Sequence, residues 1–251
     1  MAAQAWSPLR CYWLEAKHEL LRLMRTPSFV LPTLLFPAVF YLLFAVLLAG
    51  SSGKGAAHYL LAGYGVFGIM GAALFGFGVT VASERERGLL RLKRALPMPQ
   101  GAYLLAKMVT AMVFAVLISL ILAALAVAFA DIALSPRQWM LLLLVNVAGV
   151  LPFCALGLYI GSRVNASAAP AVVNLLYLPM GFLSGLWLPL QLLPDAIGWL
   201  APVWPSYHLG ELAQKVVGGG AGSPAWMHLG VLMVFTGVFF VLARARLARC
   251  D

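Results

Sequence analysis

The chain has 251 residues, of which 63% are hydrophobic and only 10% charged, with a formal net charge of +9. A soluble domain carries about 25% charged residues, so soluble enzymes and disordered tails are excluded. Cys11, Cys154 and Cys250 are too few and too far apart for a disulfide framework or a CxxC metal site; each reads as a small buried apolar residue.

The deficit of charge is patterned. Six stretches contain no Asp, Glu, Lys or Arg: 26–53, 55–83, 108–130, 138–162, 164–194 and 216–243. A helix needs about 20 apolar residues to cross the hydrocarbon core, so the pattern predicts an all-α membrane protein with six spans. These are placed at about 28–49, 59–82, 103–130, 138–161, 168–189 and 226–243. No cleavable signal peptide is expected, because the first long apolar run follows a helix-like segment and lacks a small-residue cleavage site. Fourteen of the seventeen basic residues fall in the N-terminal tail, the 83–107 segment, the 163–167 turn and the C-terminal tail. The positive-inside rule then predicts both termini in the cytoplasm. The basic excess is topological, and nucleic acid is not an expected partner.

Residues 7–25 precede span one and predict an amphipathic interfacial helix, capped by Ser7, with Pro8 in its first turn and Pro27 as its stop. Leu9, Tyr12, Trp13, Ala16, Leu20, Leu23 and Met24 share one arc, with Arg10, Lys17, His18, Glu19, Arg22 and Arg25 outside it. Such a helix anchors to a membrane surface, and the same face could dock a cytoplasmic partner. Span one carries Pro32 and Pro37 and should be kinked. The loop Gly50-Ser51-Ser52-Gly53-Lys54-Gly55 fails the GxxxxGK[ST] phosphate-loop pattern, having Leu48 and Gly55 where Gly and Ser or Thr are needed; it reads as a turn.

Span two is rich in glycine, interleaved with Phe67, Phe75 and Phe77. Close helix packing explains the glycines, and a substrate-lining role is the competing reading. Ser83-Glu84-Arg85-Glu86 fits a capping box, predicting a helix over 83–97 that Pro97 and Pro99 stop. Leu89, Leu92 and Leu96 form its apolar edge. It reads as a receiver of force from a soluble domain, or as an interfacial helix held by anionic lipid. Gly157/Gly161 and Gly181/Gly185 fit GxxxG. Asn146 and Asn174 are the uncharged polar groups expected deepest in spans four and five, as interhelical hydrogen bonds or as cavity groups. From Pro189 onward, Pro194, Pro202 and Pro205 break an apolar stretch that reaches Glu211. The 190–217 segment is therefore expected to re-enter the membrane as a pair of short helices covered by protein.

The 83–107 segment, SERERGLLRLKRALPMPQGAYLLAK, resembles the cytoplasmic loop of ABC-2 type transporter permeases. FLSGLWLPLQLLPDAIGWLAPVWPSYHLGEL (182–212) resembles the same family's proline-rich segment, and the helix ending in Arg25-Thr26-Pro27 fits too. The resemblance covers the whole chain. It implies the membrane subunit of a bacterial plasma-membrane ABC exporter that dimerises and docks two copies of an ATPase subunit. Glu84, Arg85, Glu86, Arg87, Gly88, Leu89, Arg91 and Leu92 would form the coupling helix, and Arg163 would belong to a second contact at 162–168. Spans two and five would flank the path, with Phe67, Gly71, Phe75, Asn174 and Tyr177 as path residues. No Walker motif is present, so no cofactor is expected on this chain; ATP and Mg would sit on the partner. The rival readings are an intramembrane enzyme and an ion-driven carrier or channel. The first would lack an acid/base pair, and the second a carboxylate within the spans. Lipophilic drugs, lipids or polyketides would suit the apolar path.

Overall fold

The computed structural model describes residues 8–48, 54–95, 100–220 and 222–248. The expectations for Ser7, for the loop over 49–53, for Pro97 and Pro99 and for Cys250 fall outside these residues. Every regular element among them is helical. Helix α1 (Pro8–Met24) leads into α2 (Pro27–Tyr41), which contains Pro32 and Pro37 and runs on as a π-helical turn, Leu42–Leu48. Helix α3 (Lys54–Leu74), a π segment (Phe75–Val79) and α4 (Thr80–Glu86) follow without a break. Then come α5 (Leu89–Ala95), α6 (Gln100–Phe129), α7 (Pro136–Arg163), α8 (Ala169–Leu183), α9 (Asp195–Leu200), α10 (Pro205–Val216) and α11 (Ala225–Ala248). Among the described residues five helices are long and apolar enough to cross a membrane, and α8 is a shorter apolar helix. Together they form the expected six-helix membrane fold.

Span two is the core. Residues 60–74 are buried without exception, enclosed by α2, α6, α7, α8 and α10. In lipid no hydrophobic force drives helices together, so close backbone approach has to hold them. Gly157 and Gly161 of α7 supply it: a Cβ on Gly161 would lie 2.7 Å from the Gly78 carbonyl, and one on Gly157 3.0 Å from Phe77 Cβ. This GxxxG face is therefore consumed inside the protomer. Of the second, only Gly181 packs against a helix, a Cβ there lying 2.8 Å from the Phe67 ring. Helix α8 ends at Leu183, and Gly185 turns the chain with φ +75°.

Two expectations at the ends of spans are corrected. Ser83 caps nothing, because the residues before it are already helical and it sits inside α4. The span-two helix reaches Glu86, and the break comes at Gly88, whose φ of +71° a side chain resists. Span five is 15 residues long, about 22 Å of helix, because the chain turns at Ser184–Gly185 instead of continuing to 189. The turn lies hard against α3: a Cβ on Gly63 would be 2.0 Å from the Leu186 carbonyl, and Tyr59 Oη donates to the Gly185 carbonyl.

Over 190–217 the chain forms a 3-10 turn (Leu190–Leu192), α9, a second 3-10 turn (Ala201–Val203) and α10. Pro189 and Pro194 precede the first turn and α9, Pro202 lies in the second turn, and Pro205 opens α10. Proline suits these positions because it lacks an N–H that helix starts leave unpaired. Helix α10 is pinned on three sides. Gln214 Nε2 donates to the Tyr59 carbonyl at 2.9 Å, Gln138 Nε2 to the Val216 carbonyl at 3.0 Å, and Ser206 Oγ to the Met180 carbonyl at 3.2 Å. Gln138 also completes a capping box with Ser135 at the start of α7, a Ser-Pro-Arg-Gln signal the sequence carries openly.

Candidate functional site

Most of the charged residues gather at one end of the bundle, and four of them form a largely buried lock. Lys107 of α6, 3% exposed, places Nζ 2.7 Å from Glu19 of α1 and 3.3 Å from Glu84 of α4. Arg22 bridges the same carboxylates from the surface, 2.8 Å from Glu19 and 2.6 Å from Glu84. Tyr103 Oη donates to Glu84 at 2.5 Å, and Lys107 also donates to Thr80 Oγ1 at 2.9 Å. Two carboxylates face two cations, so the charges balance and every partner is hydrogen-bonded, as burial demands. Burial pushes the Glu19 carboxyl up, but Lys107 and Arg22 together outweigh it and hold it below the ordinary range. Beside the lock, Lys93 of α5 pairs with Glu15 of α1 and lies 4.7 Å above the Tyr103 ring.

Helical periodicity places Glu19 and Arg22 on the solvated arc of α1, where Arg22 does lie, and groups Lys107 with the basic 83–107 segment. In the structure Cys11, Glu19 and Leu23 face inward, while Leu9, Trp13 and Met24 are exposed. The available signal was Lys107 itself, a lone cation within the first turns of a span, which has to be paired. The expectation that the spans hold no carboxylate also changes. Glu84 is 4% exposed on a helix continuous with span two, and its partners hold it there.

Next to the lock, the two predicted contact segments meet. The Arg85 guanidinium donates to the Ser162 carbonyl and, at 2.9 Å, to the Val164 carbonyl, satisfying the C-terminal end of α7. Glu86 accepts from the Ala166 amide at 2.9 Å. Arg87 and Arg163 are exposed, Arg163 lying 5.1 Å over the Tyr159 ring. Leu89 and Leu92 are exposed on α5, Leu92 by 60%. The Arg91 side chain lies outside the described residues. Glu84 differs from its neighbours in burial: its carboxylate is enclosed in the lock, whereas Glu86 and Arg87 are exposed.

Four of the five expected path residues converge between α3 and α8. Phe67 and Tyr177 stack with centroids 4.4 Å apart, Tyr177 Oη donates to the Phe67 carbonyl at 3.3 Å, and Phe75 meets the same ring edge-on at 5.8 Å. Gly71 makes room for this, since a Cβ there would lie 2.9 Å from Tyr177 Oη. The contact is closed within the protomer. Asn174 is separate, exposed on the outer face of α8 beside Leu175. At the opposite end of the bundle, Glu211 is half-buried on α10, near the Tyr59 hydroxyl. Among the described residues no group of three His, Cys, Asp or Glu could hold a metal.

A bundle of six apolar helices with a basic end and a broken segment before the last helix defines a multi-pass membrane protein. Residues 10–217 match the model of the ABC-2 type transporter family, and the chain belongs to that family. It is also 33% identical over 229 residues to a protein of Bacillus subtilis (strain 168) named "Putative transport permease YvfS", covering 90% of this chain and 92% of that one.

Proposed function

We propose that this chain is the membrane subunit of an ATP-driven exporter, with its basic end in the cytoplasm, where it docks a separate ATPase. The observation that carries this is the union of 83–88 with 162–168 through Arg85 and Glu86. It makes one rigid surface from segments far apart in sequence, tied to the core by the lock, and it presents Arg87, Arg163, Leu89 and Leu92 outward. Apolar side chains ringed by arginine suit a partner groove with an acidic rim. Glu84 supports this surface from within and does not touch the partner. ATP and Mg are bound by the partner subunit, of which two copies would serve a homodimer.

The path would run between protomers. The exposed faces of α2 (Leu31, Leu35, Val39) and α8 (Asn174, Leu175, Leu178) would line or flank it, and the Phe67–Tyr177 contact would act as its closed wall. Lipophilic molecules fit such a surface. The test is co-expression with an ATPase encoded beside this chain's own reading frame. Arg87→Glu with Arg163→Glu should abolish co-purification while leaving the permease dimeric and folded. If the double variant retained the ATPase and its stimulated hydrolysis, this surface would not be the docking site.

A further inference from the structure

At the end of the bundle opposite the lock, two buried histidines join α10 to α11. His208 is 4% exposed and His228 is fully enclosed, and their Nδ1 atoms lie 2.9 Å apart. The outer nitrogens are occupied too: His208 Nε2 is 2.9 Å from the Pro202 carbonyl, and His228 Nε2 is 2.8 Å from Ser223 Oγ. These contacts fix the protons. A carbonyl only accepts, so His208 Nε2 carries a hydrogen and, in the neutral ring, its Nδ1 is bare. His228 must then donate from Nδ1, which leaves its Nε2 to accept from the Ser223 hydroxyl. With both rings neutral the row of three hydrogen bonds is complete, as burial requires.

The same row holds one added proton but not two. Ser223 is half-buried beside exposed Gly222 and Pro224, so a proton arriving from solvent reaches His228 Nε2 there. The serine hydroxyl turns to accept instead of donating, and every bond survives. A second proton has only His208 Nδ1 to occupy. It sets N–H against N–H across 2.9 Å and two positive rings 5.1 Å apart. The surroundings do not offset this. Helix α10 carries Tyr207, whose ring stands edge-on to both imidazoles, together with Glu211 and Lys215. Glu211 and Lys215 act on His228 with opposite sign. Helix α3 brings His58 and Tyr59 to this end, α7 brings Arg137 and α9 Asp195, and α11 has no other ionisable group before Arg244.

We infer that His208 and His228 form an acid-released clasp: doubly protonated they part, and the first turns of α11 leave α10. The moving element is α11, because α10 is held separately through Gln214, Gln138 and Ser206. In the orientation proposed above the clasp lies on the outer side, so export would respond to acid in the external medium. That consequence rests on the proposed function; the clasp itself does not.

The full chain in detergent micelles, where both ends meet the same buffer, tests the clasp apart from the orientation. The chain has four histidines, so the NMR spectrum of isotope-labelled imidazoles is assigned by single substitutions. At about pH 7.5, above the ordinary histidine value of about 6.5, His208 should be the Nε2–H tautomer and His228 the Nδ1–H tautomer. Any other combination in the unmodified chain would overturn the inference. On acidification to about pH 4.5, well below that ordinary value, hydrogen exchange over 222–231, corrected for the chemical rate at each pH, should rise on the order of tenfold, the loss of one hydrogen bond. Exchange over 205–216 should stay slow. His228→Asn supplies the control, because its amide N–H stands where Nδ1–H stood and takes up no proton; acid should leave 222–231 protected in this variant. An equal rise in His228→Asn, no rise in the wild type, or an equal rise over 205–216 would each overturn the clasp.

Discussion

Lys107 is where the lock is most vulnerable. It is 3% exposed and is the buried cation between Glu19 and Glu84, so Lys107→Ala leaves two carboxylates facing each other with only Arg22 to share. Breaking a buried pair by removing one member costs about 3–5 kcal/mol, which should appear as a lowered melting temperature in detergent and faster tryptic cleavage within α1. Acid should have the same effect for a related reason. The Glu19 carboxyl is held below its ordinary value of 4.5, so its stabilising contribution is complete above that value and lost as the pH falls through the lower folded value. Protease protection of α1 should therefore hold at neutral pH and fall away only in strong acid; loss between pH 6 and 7 would contradict the assignment. Little of this was legible in the sequence. Helical periodicity sorts residues by polarity and assumes that polar faces meet water, so it sends Glu19 outward. Only a partner from a distant helix reverses that.

Among the elements, the charge-free runs located the long helices well because length and hydropathy alone determine them. Their ends were less legible. The SERE stretch satisfies a capping pattern, but a helix already under way overrides a start signal, and Gly88 moved the break four residues beyond Glu84. This relocation changes what mutations at the surface should do. Gly88 has φ +71° and nothing within 4 Å of a would-be Cβ, so Gly88→Ala is resisted by the backbone conformation and not by crowding. It should reorient α5 and weaken ATPase stimulation while leaving Lys93–Glu15 as the remaining tie. Arg85→Ala frees the end of α7 and should uncouple hydrolysis from transport with membrane insertion intact. Normal coupled transport in both variants would show that the union of the two segments transmits nothing.

For the whole molecule, the membrane class and the six helices follow from composition, whereas the packing does not. Both GxxxG patterns are accounted for within one chain, so the proposed dimer would have to pair through other surfaces, such as the exposed faces of α2 and α8. Orientation is directly measurable. In intact cells a membrane-impermeant thiol reagent should label Asp195→Cys, in the exposed α9, and spare Arg87→Cys until the membrane is opened. The reverse pattern would put the basic end outside and separate it from any cytoplasmic ATPase.

The π segment over Phe75–Val79 makes span two two rods in series rather than one. Above it lie Gly63, Phe67 and Gly71, wedged against the 184–187 turn and Tyr177; below it lie Arg85 and Glu86, fastened to the 162–168 turn. An inserted residue in a helix offsets everything beyond it by about 100°, so absorbing or releasing that insertion would turn the lower rod relative to the upper one. Gly76 allows the joint to be stiffened cleanly, because a Cβ there meets only Phe29 Cζ at 3.7 Å, an ordinary contact, and alanine favours regular helix by about 1 kcal/mol. Gly76→Ala should keep the fold and, in the assembly proposed above, leave dimer and ATPase binding unchanged while slowing transport alone: a transmission with its clutch held fast.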